Sequence, residues 1–226
     1  WQAFLKCIEE PPAYTIFIFC TTDPQKIPDT IKNRVQRYTF SRISTDKIRN
    51  RLEYICNQEG YTNYEESIDY IAKIAEGGMR TAISYLDKCA AMDPNLDIKN
   101  VLNALGNYSY KTFFTLLNNM IDGDEASVLR SINDFYNEGN DLKLFVDQYL
   151  NFCIDVTKYS LFKTPEVTRI PLSMEADLQN AINFDNASKY YSYLIDKLLN
   201  LKMMLKNDDS PRSTIEILLL QMTRCA

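Results

Sequence analysis

The stretch DLKLFVDQYLNFCIDVTKYSLF, residues 141–162, contains neither glycine nor proline and is rich in aromatic side chains. Phe145, Tyr149 and Phe152 are spaced three or four residues apart, so they share one face of a helix. We interpret this aromatic face as core packing and not as a cofactor site. The same periodicity predicts further helices at 109–121, 124–138, 174–184, 187–206 and 211–225. The segment 106–226 is therefore predicted to be all-helical.

Residues 43–105 precede this segment and have the same periodicity. Ser44 or Thr45 can cap the first of their helices, because a hydroxyl can accept a hydrogen bond from a free N–H group at a helix start. Gly77 and Gly78 separate the second helix from the third. Four helices are predicted, beginning near residues 45, 65, 78 and 98. They form a second, smaller helical segment.

Residues 1–42 have a different pattern. Trp1–Glu10 resembles the end of a helix, which Pro11-Pro12 stops. Tyr14–Cys20, YTIFIFC, is typical of a strand buried on both faces, and alternation at 35–40 predicts a second strand. Two strands cannot close a sheet, and the chain does not begin with methionine, so we expect the rest of the sheet upstream in a longer protein. The predicted fold class is mainly α, with a remnant of an α/β sheet of one or two strands.

Composition excludes several classes of enzyme. The sequence has no histidine, which removes Ser-His-Asp triads, Cys-His dyads and histidine-ligated metals. Its 6 glycines form neither GxGxxG nor GxxxxGK(S/T), and its 6 cysteines form no CxxC pair, so buried free thiols and no metal site are expected. The net charge of −5 argues against tight nucleic-acid binding by this chain alone. Without a long apolar run, a cytoplasmic protein is expected.

Three places in the sequence could carry chemistry. Thr21 and Thr22 follow the predicted strand, at the edge where ligands of α/β sheets gather; an ordinary turn is the alternative. Arg34, with Arg37 nearby, could reach a phosphate held by a neighbouring molecule; a surface salt bridge is the alternative. Arg80 lies at a predicted helix start, where the guanidinium and the helix dipole could sense an anion; an exposed arginine without a role is the alternative.

The order and spacing of these places resemble a known family. The segments Glu9–Pro12 (EEPP) and Thr21–Pro28 (TTDPQKIP), followed by Arg34, resemble the gamma/tau-type ATPases of bacterial DNA polymerase III, which belong to the AAA+ superfamily and load the sliding clamp. Glu76–Ser84 (EGGMRTAIS) is similar to the second sensor of that family. The resemblance is specific over residues 1–90 and poor in motifs beyond them.

The resemblance implies a role for four residues. Thr21 corresponds to the first sensor, which reads the terminal phosphate of ATP and helps to place the attacking water. Arg34 corresponds to the arginine finger, which acts in trans on ATP held by the adjacent subunit. Arg80 corresponds to the second sensor, which reaches the phosphates of the subunit's own ATP, and Met79 would pack near that nucleotide.

The resemblance also implies domains and partners. Residues 1–42 would be the C-terminal part of an AAA+ domain, 43–105 a helical lid and 106–226 a helical collar that joins a hetero-pentamer of clamp-loader subunits. The full-length protein would bind ATP and Mg²⁺ through motifs upstream of this chain, and the fragment alone would bind neither tightly nor hydrolyse ATP. The sliding clamp and primed DNA are expected as partners in the assembled complex, and a membrane is not.

Two alternatives remain open from the sequence. A delta-prime-like subunit would donate an arginine finger without a working ATP site, and such a subunit has no need of the sensor arginine Arg80. A helical scaffold without a nucleotide role would leave the combined placement of Thr21, Arg34 and Arg80 unexplained.

Overall fold

The computed structural model describes residues 2–208 and 210–223, and it is mainly α-helical, as predicted. The helices are α1 (Gln2–Glu9), α2 (Asp29–Lys32), α3 (Thr45–Glu59), α4 (Glu65–Ile74), α5 (Met79–Met92), α6 (Ile98–Ala104), α7 (Tyr110–Ile121), α8 (Glu125–Asn137), α9 (Leu142–Phe162), α10 (Glu175–Ala181), α11 (Ala187–Met204) and α12 (Pro211–Thr223). The chain divides into two compact units, Trp1–Arg42 and Ile43–Ala226.

The first unit lacks the predicted strands. Between residues 2 and 42, the segments 14–20 and 35–40 form no strand. Ile16 and Ile18 are 86% and 82% exposed, while the rings of Phe17 and Phe19 pack edge-on against Phe4 of α1. A strand requires neighbouring strands for its backbone hydrogen bonds, and the described residues supply none. The prediction of one or two strands is therefore wrong for these segments. The mainly α part of the predicted fold class is confirmed.

The first four helices of the second unit, α3 to α6, pack into a small core. Ile48, Leu52 and Cys56 recur every four residues along α3 and are fully buried, so they form the core face of this helix. Gly60 adopts a left-handed conformation with φ of 73° and ends α3. Gly77, with φ of 86°, follows α4 in the same conformation. These turns bring α3, α4 and α5 into mutual contact.

Helices α7 to α12 surround an aromatic core. The central helix α9 packs along α11, and α7 and α12 also contact it. Phe113 of α7 lies 5.5 Å from Phe145 and 5.5 Å from Phe152 of α9, measured between ring centroids. Tyr149 stacks between these two α9 rings and is fully buried. The interpretation of the aromatic residues of α9 as core packing is confirmed.

The cysteine prediction is confirmed for part of the chain. Cys56, Cys89 and Cys153 are buried free thiols. Cys7 and Cys20 are exposed, contrary to the prediction, and the segment 14–20 forms no strand that could bury Cys20. Cys225 lies outside the described residues.

We expect timed alkylation of the native chain to separate these thiols. At pH 8, iodoacetamide should modify Cys7 and Cys20 at least about 100-fold faster than Cys56, Cys89 and Cys153. Burial raises the pKa of Cys56 and of Cys89 to about 11, so both thiols are protonated as well as inaccessible. Peptide mass spectrometry measures the rates, and denaturant should make them similar. Alkylation of Cys56 at the rate of Cys20 would show that α3 does not form the described core.

Candidate functional site

Arg34 follows α2 and is held by two contacts within the first unit. Pro28 precedes the helix, and Ile31 anchors it by being almost completely buried. The Nη1 group of Arg34 donates to the carbonyl oxygen of Thr30 at 2.6 Å, and Nη2 lies 2.6 Å from Glu9 Oε1. The Arg34 side chain remains 40% exposed. The chain by itself thus holds the guanidinium by one carbonyl and one carboxylate while leaving it accessible to solvent.

Thr21 takes part in a turn before the short 3₁₀ helix Pro24–Lys26. Its Oγ1 accepts a hydrogen bond from the backbone N–H of Asp23 at 3.0 Å, and the Asp23 side chain accepts from Gln25 N at 3.3 Å. This arrangement is the ordinary turn that the sequence left open as an alternative. The Thr21 side chain is exposed, and the hydroxyl can still donate its own proton.

Arg80 and Met79 begin helix α5. Gly78 precedes them, and a Cβ there would lie 3.1 Å from Thr81 Oγ1 and 3.2 Å from the Ala75 carbonyl oxygen, so a larger residue would require these neighbours to shift slightly. Met79 packs against the core, which directs the neighbouring Arg80 outward. Arg80 is exposed and makes no hydrogen bond or ion pair with the residues that the structure describes. The free backbone N–H groups of the first turn of α5 lie beside it.

The four predicted site residues fall into two groups. Thr21 and Arg34 belong to the first unit, and Met79 and Arg80 belong to the second. Their nucleotide roles stay predictions.

Sequence reasoning missed two features that involve charge. Glu9 belongs to the EEPP motif, and no signal in the sequence indicates that it pairs with Arg34. Asp155 of α9 is 1% exposed and accepts hydrogen bonds from Lys158 and Arg169. Charged residues are seldom fully buried, and neither spacing nor composition marks this one.

A cavity of about 210 Å³ adjoins the ion pair of Asp155 and Arg169 in the second unit. Tyr70, Tyr110, Asp155 and Arg169 contribute to its lining, and Asn107 donates to the Tyr70 hydroxyl at 2.9 Å. Burial raises the pKa of Tyr70 to about 12, so this hydroxyl stays protonated at neutral pH. The polar groups of the cavity mainly bind one another, which is typical of a structural role.

No group of three or more His, Cys, Asp and Glu side chains within 2–208 and 210–223 could hold a metal ion. No helix in that part of the chain is long and apolar enough to span a membrane.

Comparison with known families identifies the class of protein. Residues 2–44 match the family described as DNA polymerase III, delta subunit, and residues 47–92 match the ATPase lid domain of the DNA polymerase III clamp loader subunit. Both belong to clamp-loader subunits. Residues 96–226, more than half of the chain, match domain III of DNA polymerase III subunits gamma and tau. The chain belongs to this gamma and tau family, and the resemblance found in the sequence is confirmed.

Individual relatives agree with this assignment. The chain is 33% identical over 160 residues to DNA polymerase III subunit tau of Bacillus subtilis, covering 70% of this chain and 28% of that protein. It is 32% identical over 135 residues to subunit tau of Escherichia coli, covering 59% of this chain and 21% of that protein. The chain thus spans less than a third of either relative.

A solved structure is also similar. The Bacillus subtilis DNA clamp loader delta protein aligns over 99% of this chain and 70% of its own, with a TM-score of 0.42 and 13% sequence identity.

Proposed function

We propose that this chain is the sensor, lid and collar part of a gamma/tau-type clamp-loader subunit, which uses ATP to load the sliding clamp onto primed DNA. The observation that carries the proposal is the exposed Arg80, free of protein partners in the described residues, beside the N-terminus of α5. A guanidinium and free N–H groups together form a site for phosphate oxygens. Its position within the matched ATPase lid family supports ATP as the source of those phosphates.

Arg34 and Thr21 complete the proposed mechanism. Phosphoryl transfer is accelerated mainly by positioning and by neutralising charge that develops on the transferred group. Arg34, exposed after α2, would supply positive charge to ATP held by the adjacent subunit. Thr21 would help to orient the attacking water through its hydroxyl. DNA engagement would align Arg34 with the neighbouring ATP, and hydrolysis would release the clamp and the DNA.

ATP and Mg²⁺ would be held mainly by segments that this sequence does not contain. Within the chain, Arg80 would bind the phosphates of the subunit's own ATP and Met79 would pack near the nucleotide. The described residues supply no cluster of metal ligands, so Mg²⁺ would be bound by other parts of the full-length protein. We infer that the chain alone has no ATPase activity.

The proposed partners are the other subunits of a hetero-pentameric loader in the cytoplasm. Leu199, Met203 and Met204 of α11 and Ile217 of α12 are apolar and largely exposed, which supports a subunit interface on the collar. The sliding clamp and primed DNA would join the assembled complex. The division into an AAA+ part (1–42), a lid (43–105) and a collar (106–226) belongs to the same proposal.

The alternatives receive less support. A delta-prime-like subunit would explain Arg34, but the gamma and tau match over 96–226 and the presence of Arg80 favour an ATP-binding subunit. A scaffold without a nucleotide role would not account for the match to an ATPase lid.

Replacing Arg80 with alanine tests the proposal. In the full-length subunit, Arg80→Ala should weaken ATP binding about tenfold, because it removes a charge-assisted hydrogen bond to phosphate. ATP-dependent clamp opening should weaken in parallel. Fluorescent-nucleotide titration and a clamp-opening assay measure the two effects. Arg130→Ala, which removes an exposed arginine from α8, is the matched control and should leave both unchanged. Normal ATP affinity and clamp loading by Arg80→Ala would contradict the sensor role.

A further inference from the structure

We propose that Glu9 withholds Arg34 from the neighbouring subunit's ATP until a phosphate group displaces its carboxylate. The inference rests on the proposed role of Arg34 as an arginine finger and adds Glu9 as the residue that sets its availability. The Glu9 carboxylate and a phosphate oxygen compete for the same face of the guanidinium. A finger in this state neutralises no charge on ATP.

The contacts of Arg34 show why Glu9 can hold it. Nη1 already donates to the Thr30 carbonyl, which fixes the guanidinium close to its own helix. Nη2 is 2.6 Å from Glu9 Oε1, and both groups lie within the first unit. Asp29, the acidic residue at the start of α2, pairs with Lys32 at 3.1 Å and not with Arg34. Among the described residues, Glu9 is the ion-pair partner of Arg34.

The position of Glu9 is itself supported. Glu9 is the last residue of α1, and the ring of Phe4 in the same helix packs edge-on against Phe17 and Phe19 at centroid distances of 6.5 and 6.3 Å. These aromatic contacts hold α1 against the chain that precedes α2. The ion pair therefore joins two elements that are already anchored near each other.

The exposure of the pair makes it exchangeable. The side chains of Arg34 and Glu9 are 40% and 46% exposed. Ion pairs this accessible to water contribute little, so removing the Glu9 charge should raise the availability of Arg34 only about two- to fivefold. A terminal phosphate carries more charge and matches the planar fork of the guanidinium. It can therefore displace Glu9 once the neighbouring subunit is correctly placed.

Turnover by the assembled loader tests the inference. ATP turnover would be measured with and without primed DNA and clamp for four full-length variants. These are Glu9→Gln, Glu10→Gln, Arg34→Ala and the double variant Glu9→Gln with Arg34→Ala. Glu9→Gln should raise DNA-free turnover about two- to fivefold and leave DNA-stimulated turnover within about twofold. Glu10→Gln removes the same charge from the adjacent exposed residue and should change neither. In the Arg34→Ala background, Glu9→Gln should have no effect.

Chemical modification of Arg34 reports on its contact with Glu9 independently of ATPase activity. Phenylglyoxal should modify Arg34 about two- to fivefold faster in Glu9→Gln than in the unmodified protein or in Glu10→Gln, as measured by peptide mass spectrometry. Unchanged Arg34 reactivity would overturn the contact. Glu9→Gln turnover that falls as in Arg34→Ala would overturn the withholding role, because Glu9 would then orient the finger. Faster modification of Arg34 together with normal turnover by Arg34→Ala would show instead that the finger assignment had failed.

Discussion

Replacing Arg34 with alanine should lower hydrolysis by about 10³-fold or more at each ATP site that faces this subunit in the assembled loader. The proposed finger contributes charge mainly in the transition state, where the transferred phosphoryl group develops it, so ATP binding should remain close to normal. The exposure of Arg34 next to α2 makes this action in trans feasible.

A single-turnover experiment gives the sharpest test. ATP bound at sites that face this subunit should be hydrolysed in a slow phase. ATP bound at sites served by another subunit's finger should still be hydrolysed at the normal rate. Arg34→Lys keeps the charge but loses the planar fork, and it should recover only part of the rate. Arg37→Ala removes a nearby exposed arginine and is the matched control. Normal single-turnover kinetics in Arg34→Ala would refute the finger assignment.

Replacing Arg169 with methionine should lower the free energy of unfolding by about 3 kcal/mol. The substitution keeps apolar bulk but leaves the Asp155 carboxylate, which is 1% exposed, with Lys158 as its remaining cationic partner. Arg169 Nε donates to Asp155 Oδ2 at 2.8 Å. Burial opposes the positive charge of Arg169, but the hydrogen bond and charge of Asp155 outweigh it, so the pKa of Arg169 lies above its ordinary value.

Urea unfolding of the chain, followed by both circular dichroism and tyrosine fluorescence, measures this loss. The double variant Asp155→Asn with Arg169→Met should lose less stability than the sum of the two single variants, because no unpaired buried charge remains. Lys158→Met is the control: its ammonium group lies on a side chain that is 41% exposed, and its removal should cost at most about 1 kcal/mol. An equal loss in Lys158→Met and Arg169→Met would show that Arg169 has no special role.

Most helices could be predicted because their signals are local. The stretch 141–162 corresponds to α9 at Leu142–Phe162, and the helix predicted from residue 211 corresponds to α12, which begins at Pro211. The segment Tyr14–Cys20 had an equally clear local pattern but formed no strand, since a strand depends on backbone partners elsewhere in a sheet.

The sequence by itself determined the mainly α fold class, the aromatic core faces and the identity of four candidate site residues, since periodicity, helix-end signals and motif order are all readable along the chain. Only the tertiary structure decided that Glu9 pairs with Arg34, that Arg169 neutralises a buried Asp155 and that Arg80 lacks a partner among the described residues. These features depend on which side chains the folded backbone brings within a few ångströms. An ion pair between separate elements leaves no periodic trace in the sequence, because its energy depends on distance and burial in space.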